Sequence, residues 1–195
     1  VIDLMTHTSG VPPYAPVSEL QEKYGSPNPK GLMEYISTCK REFKPQTKFQ
    51  YSCLNFITLQ HIIETITGQS LRDFAKENIF DILGMQYTDY LPTIQQQDGK
   101  WINTVACPWM DRIAPTEKQK DGSVLCGQVH DPLARILNGG ISGNAGIFSN
   151  ANDIGILAAA LLNGGEYNGH RILSPLGVKT MCTVPRELTA FGRTP

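Results

Sequence analysis

Residues 49–56 read Phe49-Gln-Tyr-Ser-Cys-Leu-Asn-Phe56, and the surrounding fold turns on them. Here an extended run, Lys48–Tyr51, passes into an amphipathic helix over about Ser52–Thr67. Leu54, Ile57, Ile62, Ile63 and Ile66 fall largely on one face of that helix, and Gly68 supplies a left-handed stop. Tyr51 therefore sits at the junction between extended chain and helix.

Working upstream, Ile2, Leu4 and Met5 suggest a short helix ended by Ser9-Gly10, with Pro12-Pro13 just beyond. Residues 11–30 carry Pro12, Pro13, Pro16, Pro27 and Pro29, which predicts mostly loop with a short helix near Ser18–Lys23. A helix over about Gly31–Cys39 follows, before Lys44-Pro45 breaks the pattern. Downstream, Ser70-Leu-Arg-Asp73 reads as a capping box opening a second helix, with Leu71, Phe74, Ile79 and Phe80 inward. Leu83-Gly84-Met85 closes it. Residues 86–135 have weak periodicity and many turn formers, which predicts a long excursion with at most a hairpin. Gly139-Gly140 and Gly143-x-x-Gly146 punctuate a loop, and Ser149 is placed to cap a helix over about Ala151–Asn163. Ser174-Pro175 is a further cap, with proline at the first helical position. The sum is a mainly α chain with minor β, expected as a single helix-rich domain over residues 1–195.

The bulk composition narrows the function classes. The chain has 195 residues, 41% hydrophobic and 18% charged, with a net charge of −1. That is enough apolar residue for one sizeable core. The basic residues are scattered, as in Lys40-Arg41 and Lys118/Lys120, so the charge pattern argues against nucleic acid as a partner. No apolar run approaches the roughly 18–20 residues of a membrane span. The sequence opens mid-pattern at Val1 without a methionine, and it reads as an excerpt of a longer protein. Its five cysteines, Cys39, Cys53, Cys107, Cys126 and Cys182, show no disulfide framework and no Cys-x-x-Cys spacing. Isolated buried thiols are the expectation, with a Cys107–Cys126 bridge the alternative.

Several stretches acquire meaning from their order. They are Leu4-Met-Thr-His-Thr-Ser-Gly10, Tyr51-Ser-Cys53, Thr67-Gly-Gln-Ser-Leu-Arg-Asp-Phe74, Ile79-Phe-Asp-Ile-Leu-Gly-Met85 and Gly140-Ile-Ser-Gly-Asn-Ala-Gly-Ile-Phe-Ser149, then Leu161-Leu-Asn-Gly-Gly165 leading to Arg171-Ile-Leu-Ser-Pro175. This succession resembles the serine β-lactamase-like family, which holds class C β-lactamases, DD-peptidases and related esterases. That family acts through a Ser-x-x-Lys helix, a Tyr-x-Asn motif and a Lys-Thr-Gly strand. A serine hydroxyl is a poor nucleophile until a base takes its proton. A phenol near its free pKa of about 10 needs cations nearby to do so at neutrality.

The resemblance implies the following. Tyr51 is the catalytic proton shuttle. Cys53 occupies the motif's Asn position and, with Asn144 and Ala145, faces substrate. His7 holds the Thr-His-Thr-Ser-Gly turn. The nucleophilic serine and its lysine lie outside this chain, because Ser-x-x-Lys precedes the first landmark in the family's order. The chain corresponds to the helical domain of the fold, lacking most of the antiparallel sheet, and is inactive alone. The substrate is a β-lactam, a D-Ala-D-Ala-like or peptidoglycan-like peptide, or a small ester. A thiol is a weaker hydrogen-bond partner than an amide, which favours an esterase or peptidase over efficient β-lactam hydrolysis. No metal and no cofactor are implied, and the compartment is the bacterial cell envelope or periplasm.

Other matches compete with this reading. Ser37-Thr-Cys-Lys40 fits Ser-x-x-Lys literally but follows the first landmark. Lys179-Thr180-Met181 places methionine where the third motif needs glycine. Cys53 as a nucleophile lacks an assignable base, since His61 is eight residues on, over two helical turns. His130-Asp131 beside Cys126 lacks metal-site spacing, and Gly139–Gly146 lacks the strand and Gly-Lys-Ser ending of a phosphate loop. Asn55 is too far round the helix from position 53 to replace the motif amide. Tyr51 as a structural aromatic, in a non-catalytic helical binding or scaffold module of the same family, remains the rival reading, and Cys53 favours it.

Overall fold

A computed structural model describes residues 1–183 and shows a mainly helical chain with short antiparallel strand pairs. The chain divides into two compact units. The first comprises Val1–Leu71 and Tyr90–Phe148, and the second Arg72–Asp89 with the residues from Ser149 onward.

In the first unit the helices are α1 (Ile2–Met5), α2 (Val17–Tyr24), α3 (Pro29–Thr38) and α4 (Cys53–Thr67). Helix α3 begins where its chemistry directs. Asn28 accepts a hydrogen bond from Gly31 N–H, and Pro29 takes the first helical position. Helix α4 ends at Gly68, whose φ of 70° is the left-handed conformation glycine adopts without a Cβ clash. Its inner face is shorter than the periodicity predicts. Leu54 and Ile57 are buried and Ile62 and Ile63 half-buried, but Ile66 in the last turn is 79% exposed. Leu54 and Ile57 join Val11, Ala15, Leu20, Leu32, Ile36, Leu133 and Leu137 in one apolar cluster. Full burial of such a side chain contributes about 1.5–3 kcal/mol, so this cluster fixes α2 and α3 against the base of α4.

The excursion over residues 86–135 is mostly irregular, as the weak periodicity implies, yet it holds more than one hairpin ladder. Thr93–Gln95 pairs antiparallel with Trp101–Asn103, and Glu117–Lys118 with Val124–Leu125. A π-helical turn, Leu133–Leu137, then leads into the glycine loop. The Asp131 carboxylate accepts from Ala134 N–H at its start.

The second unit contains α5 (Leu71–Ala75) from Arg72 onward, a π-helical turn (Lys76–Phe80) and α6 (Asp81–Leu83), then α7 (Ala151–Leu162) and α8 (Pro175–Met181). Gly84, at φ 69°, stops the first run. Asn150, not Ser149, caps α7, because its side chain is the one that accepts from Asp153 N–H at 2.8 Å. Ser174 caps α8 as expected. Asp153 is buried and accepts from Tyr87 N–H (2.7 Å) and the Thr88 hydroxyl (2.9 Å). Arg72 makes a two-pronged pair with Asp89, which raises the guanidinium pKa further.

Candidate active site

Tyr51 is held at the head of α4 by the turn His7–Pro13. The turn starts from His7, a non-glycine residue at φ 57°. Its carbonyl accepts from Gln50 N–H, and its Nδ1 accepts from Ser52 N–H at 3.2 Å. An Nδ1 that accepts from a backbone N–H carries no proton, so the ring proton is assigned to Nε2. Asn55 Nδ2 lies 3.2 Å from the same nitrogen, and Asn55 Oδ1 accepts from the Ser9 hydroxyl at 2.6 Å. The Ser52 hydroxyl donates to Pro12 C=O and Cys53 N–H to Pro13 C=O. Asn55 is thus fully committed beneath the helix and does not stand in for the motif amide. The His7 ring lies 4.5 Å from the Tyr51 ring, tilted at 44° to it. His7 therefore holds the turn and supports the tyrosine from below, while the tyrosine itself is 58% exposed.

Several further groups lie near the phenol or in the loop beside it. The half-buried Cys53 thiol lies close enough to Tyr51 to act on its ionisation. Asn144 Nδ2 donates to Asp131 Oδ1 at 3.3 Å, and Asn144 Oδ1 accepts from the Ser142 hydroxyl at 2.6 Å. Tyr14 is close enough to Asp131 to feel its charge. Ala145 follows Asn144 in the same loop, half-buried, and brings a methyl and backbone groups.

Burial and the Asp131 carboxylate together favour the protonated forms of the phenols and thiol here. The Tyr51 phenol is pushed above its ordinary range, first by the charge of the neighbouring Cys53, then by desolvation and Asp131. Burial pushes the Cys53 thiol up, and the Asn144 side chain opposes that. Tyr14 is pushed up to about 12 by burial and then by Asp131. Arg135, buried close by, donates to Val129 C=O (2.6 Å) and His130 C=O (2.9 Å), and its desolvation lowers its pKa.

The loop is tied back to α4 through Gln60. Gln60 Oε1 accepts from Gly143 N–H (3.0 Å) and Asn138 Nδ2 (3.2 Å), and its Nε2 donates to Ile141 C=O. Asn138 also donates to Ser142 at 2.8 Å. Sequence reasoning missed Tyr14, Asp131 and Gln60. Two of them left a signal. Tyr14 is the aromatic inside the Pro12–Pro16 run, and Gln60 is an amide three residues past Ile57 on the core face.

The competing matches fare differently. Ser37 lies in the last turn of α3 with its hydroxyl donating back to Glu34 C=O, and Cys39 is already extended, so Lys40 stands outside the helix. The serine and lysine thus do not share a helical face. All five cysteines are free, and Cys126 and Cys182 are exposed rather than buried. His130 pairs with Glu117 at 3.5 Å, while its neighbour Asp131 turns to Asn144. Among the described residues no group of three or more His, Cys, Asp or Glu side chains could hold a metal ion, and no helix is long and apolar enough to cross a membrane.

Comparison with known proteins gives concordant matches. The family model described as Beta-lactamase matches residues 1–190. A protein named as a candidate D-alanyl-D-alanine carboxypeptidase from Escherichia coli strain K12 is 32% identical, over 98% of this chain and 45% of its own length. The chain thus spans about half the length of the curated relatives it matches. Among solved structures, a penicillin-binding protein from Bacillus halodurans matches with TM-score 0.56 and 20% identity over 93% of this chain and 50% of that one. A D-stereospecific amidohydrolase from Streptomyces sp. matches with TM-score 0.61 and 19% identity, over 94% and 51%. At such identities these two likenesses speak to the fold.

Proposed function

The chain belongs to the beta-lactamase family, and from that premise we propose that it forms one wall of a serine hydrolase cleft in which Tyr51 carries the proton. In this reading a serine attacks the substrate carbonyl, Tyr51 passes the serine's proton toward the leaving group, and water then releases the acyl group. Cys53, Asn144 and Ala145 face the substrate. The nucleophilic serine and its lysine belong to the remainder of a protein of the relatives' length, since Ser37 and Lys40 are not placed to act. The chain then supplies the helical part of the fold and is inactive by itself.

One observation carries the reading. An exposed phenol stands at the head of α4, its ring tilted against a buried histidine and close to the thiol at the motif's third position. A structural aromatic would turn its ring into the core. The substrate class we favour is a D-alanyl peptide or small ester in the cell envelope. The weak thiol at Cys53 argues against efficient β-lactam turnover, and the Escherichia coli relative is named for carboxypeptidase action.

The test is Tyr51→Phe in the full-length protein, scored by labelling with a fluorescent penicillin and by release of D-alanine. Loss of a proton-carrying group is expected to slow acylation by about 10²–10⁴-fold with an unchanged unfolding midpoint. Equal acylation by the variant would sink the assignment. The second reading, a binding wall without chemistry, rests on Cys53. It wins if neither the penicillin nor an ester-directed phosphonate labels any serine of the full-length protein.

A further inference from the structure

A cavity of about 560 Å³, ample for a small molecule, opens within the first unit between the start of α3 and α4. Met33 and Ile57 give it apolar lining, and Lys30, Glu64 and Asn138 give it polar lining. At about 100° of turn per residue, Ile57, Gln60 and Glu64 share one side of α4, and Ile62, Ile63 and Ile66 lie on the other. Whatever covers that isoleucine stripe therefore does not fill this cavity.

The polar groups at the cavity are only partly used by the protein itself. Gln60 Oε1 takes Gly143 N–H, so Asn138 must turn its nitrogen toward it. The other Nδ2 hydrogen goes to Ser142, whose own hydroxyl hydrogen goes to Asn144. That leaves Asn138 Oδ1, on a side chain only 6% exposed, without a donor among the described residues. Glu64 takes both Gln60 Nε2 (3.1 Å) and Leu71 N–H (3.0 Å) on Oε1, and its Oε2 has no donor among the described residues. Asn138 and Glu64 flank the same Gln60 amide, one at its oxygen and the other at its nitrogen, which makes them neighbours. The Lys30 ammonium forms no ion pair among the described residues. It stands in the first turn of α3, the helix end at which an anion is favoured.

We propose that this cavity binds a free α-amino acid with an apolar side chain. Its carboxylate sits on Lys30, its ammonium is shared by Glu64 Oε2 and Asn138 Oδ1, and its side chain lies against Met33 and Ile57. Each charge of the zwitterion meets an opposite charge, and charge-assisted hydrogen bonds of this kind are the strong ones. The site is independent of the Tyr51 reading, although Asn138 joins it to the glycine loop through Ser142.

The test uses the full-length protein. D-leucine and L-leucine are each titrated to about 10 mM, where a ligand of this size at ordinary efficiency is half bound, and the methyl resonances of Met33 and Ile57 are followed by NMR. Saturable shifts at both methyls are expected with at least one enantiomer. Leucinamide lacks the carboxylate and N-acetyl-leucine lacks the ammonium, so each is expected to bind about 10-fold more weakly, the worth of one charge-assisted hydrogen bond. Lys30→Met and Glu64→Gln are expected to weaken leucine by a similar factor. Thr65 is exposed and lines the cavity, so Thr65→Trp is expected to fill it and abolish the shifts with a native urea midpoint. Silence of both methyls with both enantiomers overturns the proposal. So do equal affinities for leucine and its two analogues, a comparison that needs no variant to fold, or shifts that survive Lys30→Met or Thr65→Trp. Tyr51→Phe is expected to leave the titration unchanged, so failure of the Tyr51 reading does not touch this one.

Discussion

Replacing Asn55 with alanine is expected to destabilise the protein by about 2–4 kcal/mol, although no apolar contact of the core cluster is touched. Asn55 is 0% exposed, and its carboxamide oxygen is the acceptor for the Ser9 hydroxyl at 2.6 Å. Removing it leaves that O–H without a partner in a site that is 9% exposed, which costs about 1–3 kcal/mol. Ser9 keeps its acceptor role toward Val11 N–H, and His7 Nδ1 keeps Ser52 N–H, so those groups add nothing to the loss. The truncated side chain leaves a small void, worth about 1 kcal/mol more. Against a typical total stability of about 5–15 kcal/mol the change is large. Urea unfolding followed by circular dichroism reads it as a fall in midpoint at constant slope. The sharper test is the cycle with Ser9→Ala. That variant removes the stranded donor, so Asn55→Ala in its background is expected to cost only the void, giving a coupling of about 1–3 kcal/mol. Additive losses would refute the argument that the turn carrying His7 is clamped to α4 through this pair.

Two further outcomes follow from close packing and from burial. A Cβ added at Gly143 would run into the Phe56 carbonyl oxygen and stand 3.1 Å from Gln60 Cβ. Gly143→Ala is therefore expected to push the loop off α4, break the Gly143–Gln60 bond and cost about 1–3 kcal/mol in urea unfolding, and a native midpoint would contradict this. Tyr90 is 4% exposed, and burial, with Glu64 second, pushes its phenol up to about 12. The unfolded chain ionises near 10, so the stability tied to the neutral phenol is whole below that pH and is lost as pH rises toward 12. Two pH units correspond to at most about 2.7 kcal/mol. Comparing the native protein with Tyr90→Phe at about pH 9 and pH 11.5 should show the native midpoint falling more steeply, and parallel behaviour would exclude Tyr90 as the cause.

What could be read in advance depended on how local its cause was. Helix α4 was legible because its start, stripe and glycine stop lie within one stretch of chain. Its last turn was not, because Ile66 has helical spacing but no partner element over it among the described residues, and periodicity reports phase without reporting where the covering surface ends. Ser149 and Asn150 are both good caps side by side. The choice between them was made by geometry, through the residue three places before the Asp153 N–H. The site divides the same way. Tyr51, Cys53 and Asn144 are visible through the order of stretches along the chain. The groups that tune them are joined across long separations, such as Asn138 to Gln60 over 78 residues and Gly143 to Gln60 over 83. Asp131 lies in a region without periodicity, and nothing local distinguishes its carboxylate from a solvated one.

The electrostatics of this wall constrain how Tyr51 can work. Its named neighbours, Cys53 and Asp131, both hold the phenol protonated, so alone it is a proton donor and a poor base. To act near neutrality it must be drawn down by more than the roughly three pH units that separate an ordinary phenol from neutrality, because its neighbours first raise it. A single cation about 4 Å away supplies roughly 1 kcal/mol in bulk water, less than one unit, and roughly 4 kcal/mol at an effective dielectric near 20, about three units. The phenol as described is 58% exposed, close to the first case. A lysine reaching it through open water would therefore be too weak, and the same lysine under a water-excluding cover would supply most of the shift. Cover alone works the other way, since desolvation raises a phenol. Cation and cover have to arrive together, which is what an opposing wall that brings both a lysine and substrate would provide; under the proposed function Tyr51 would then be a base only with substrate in place.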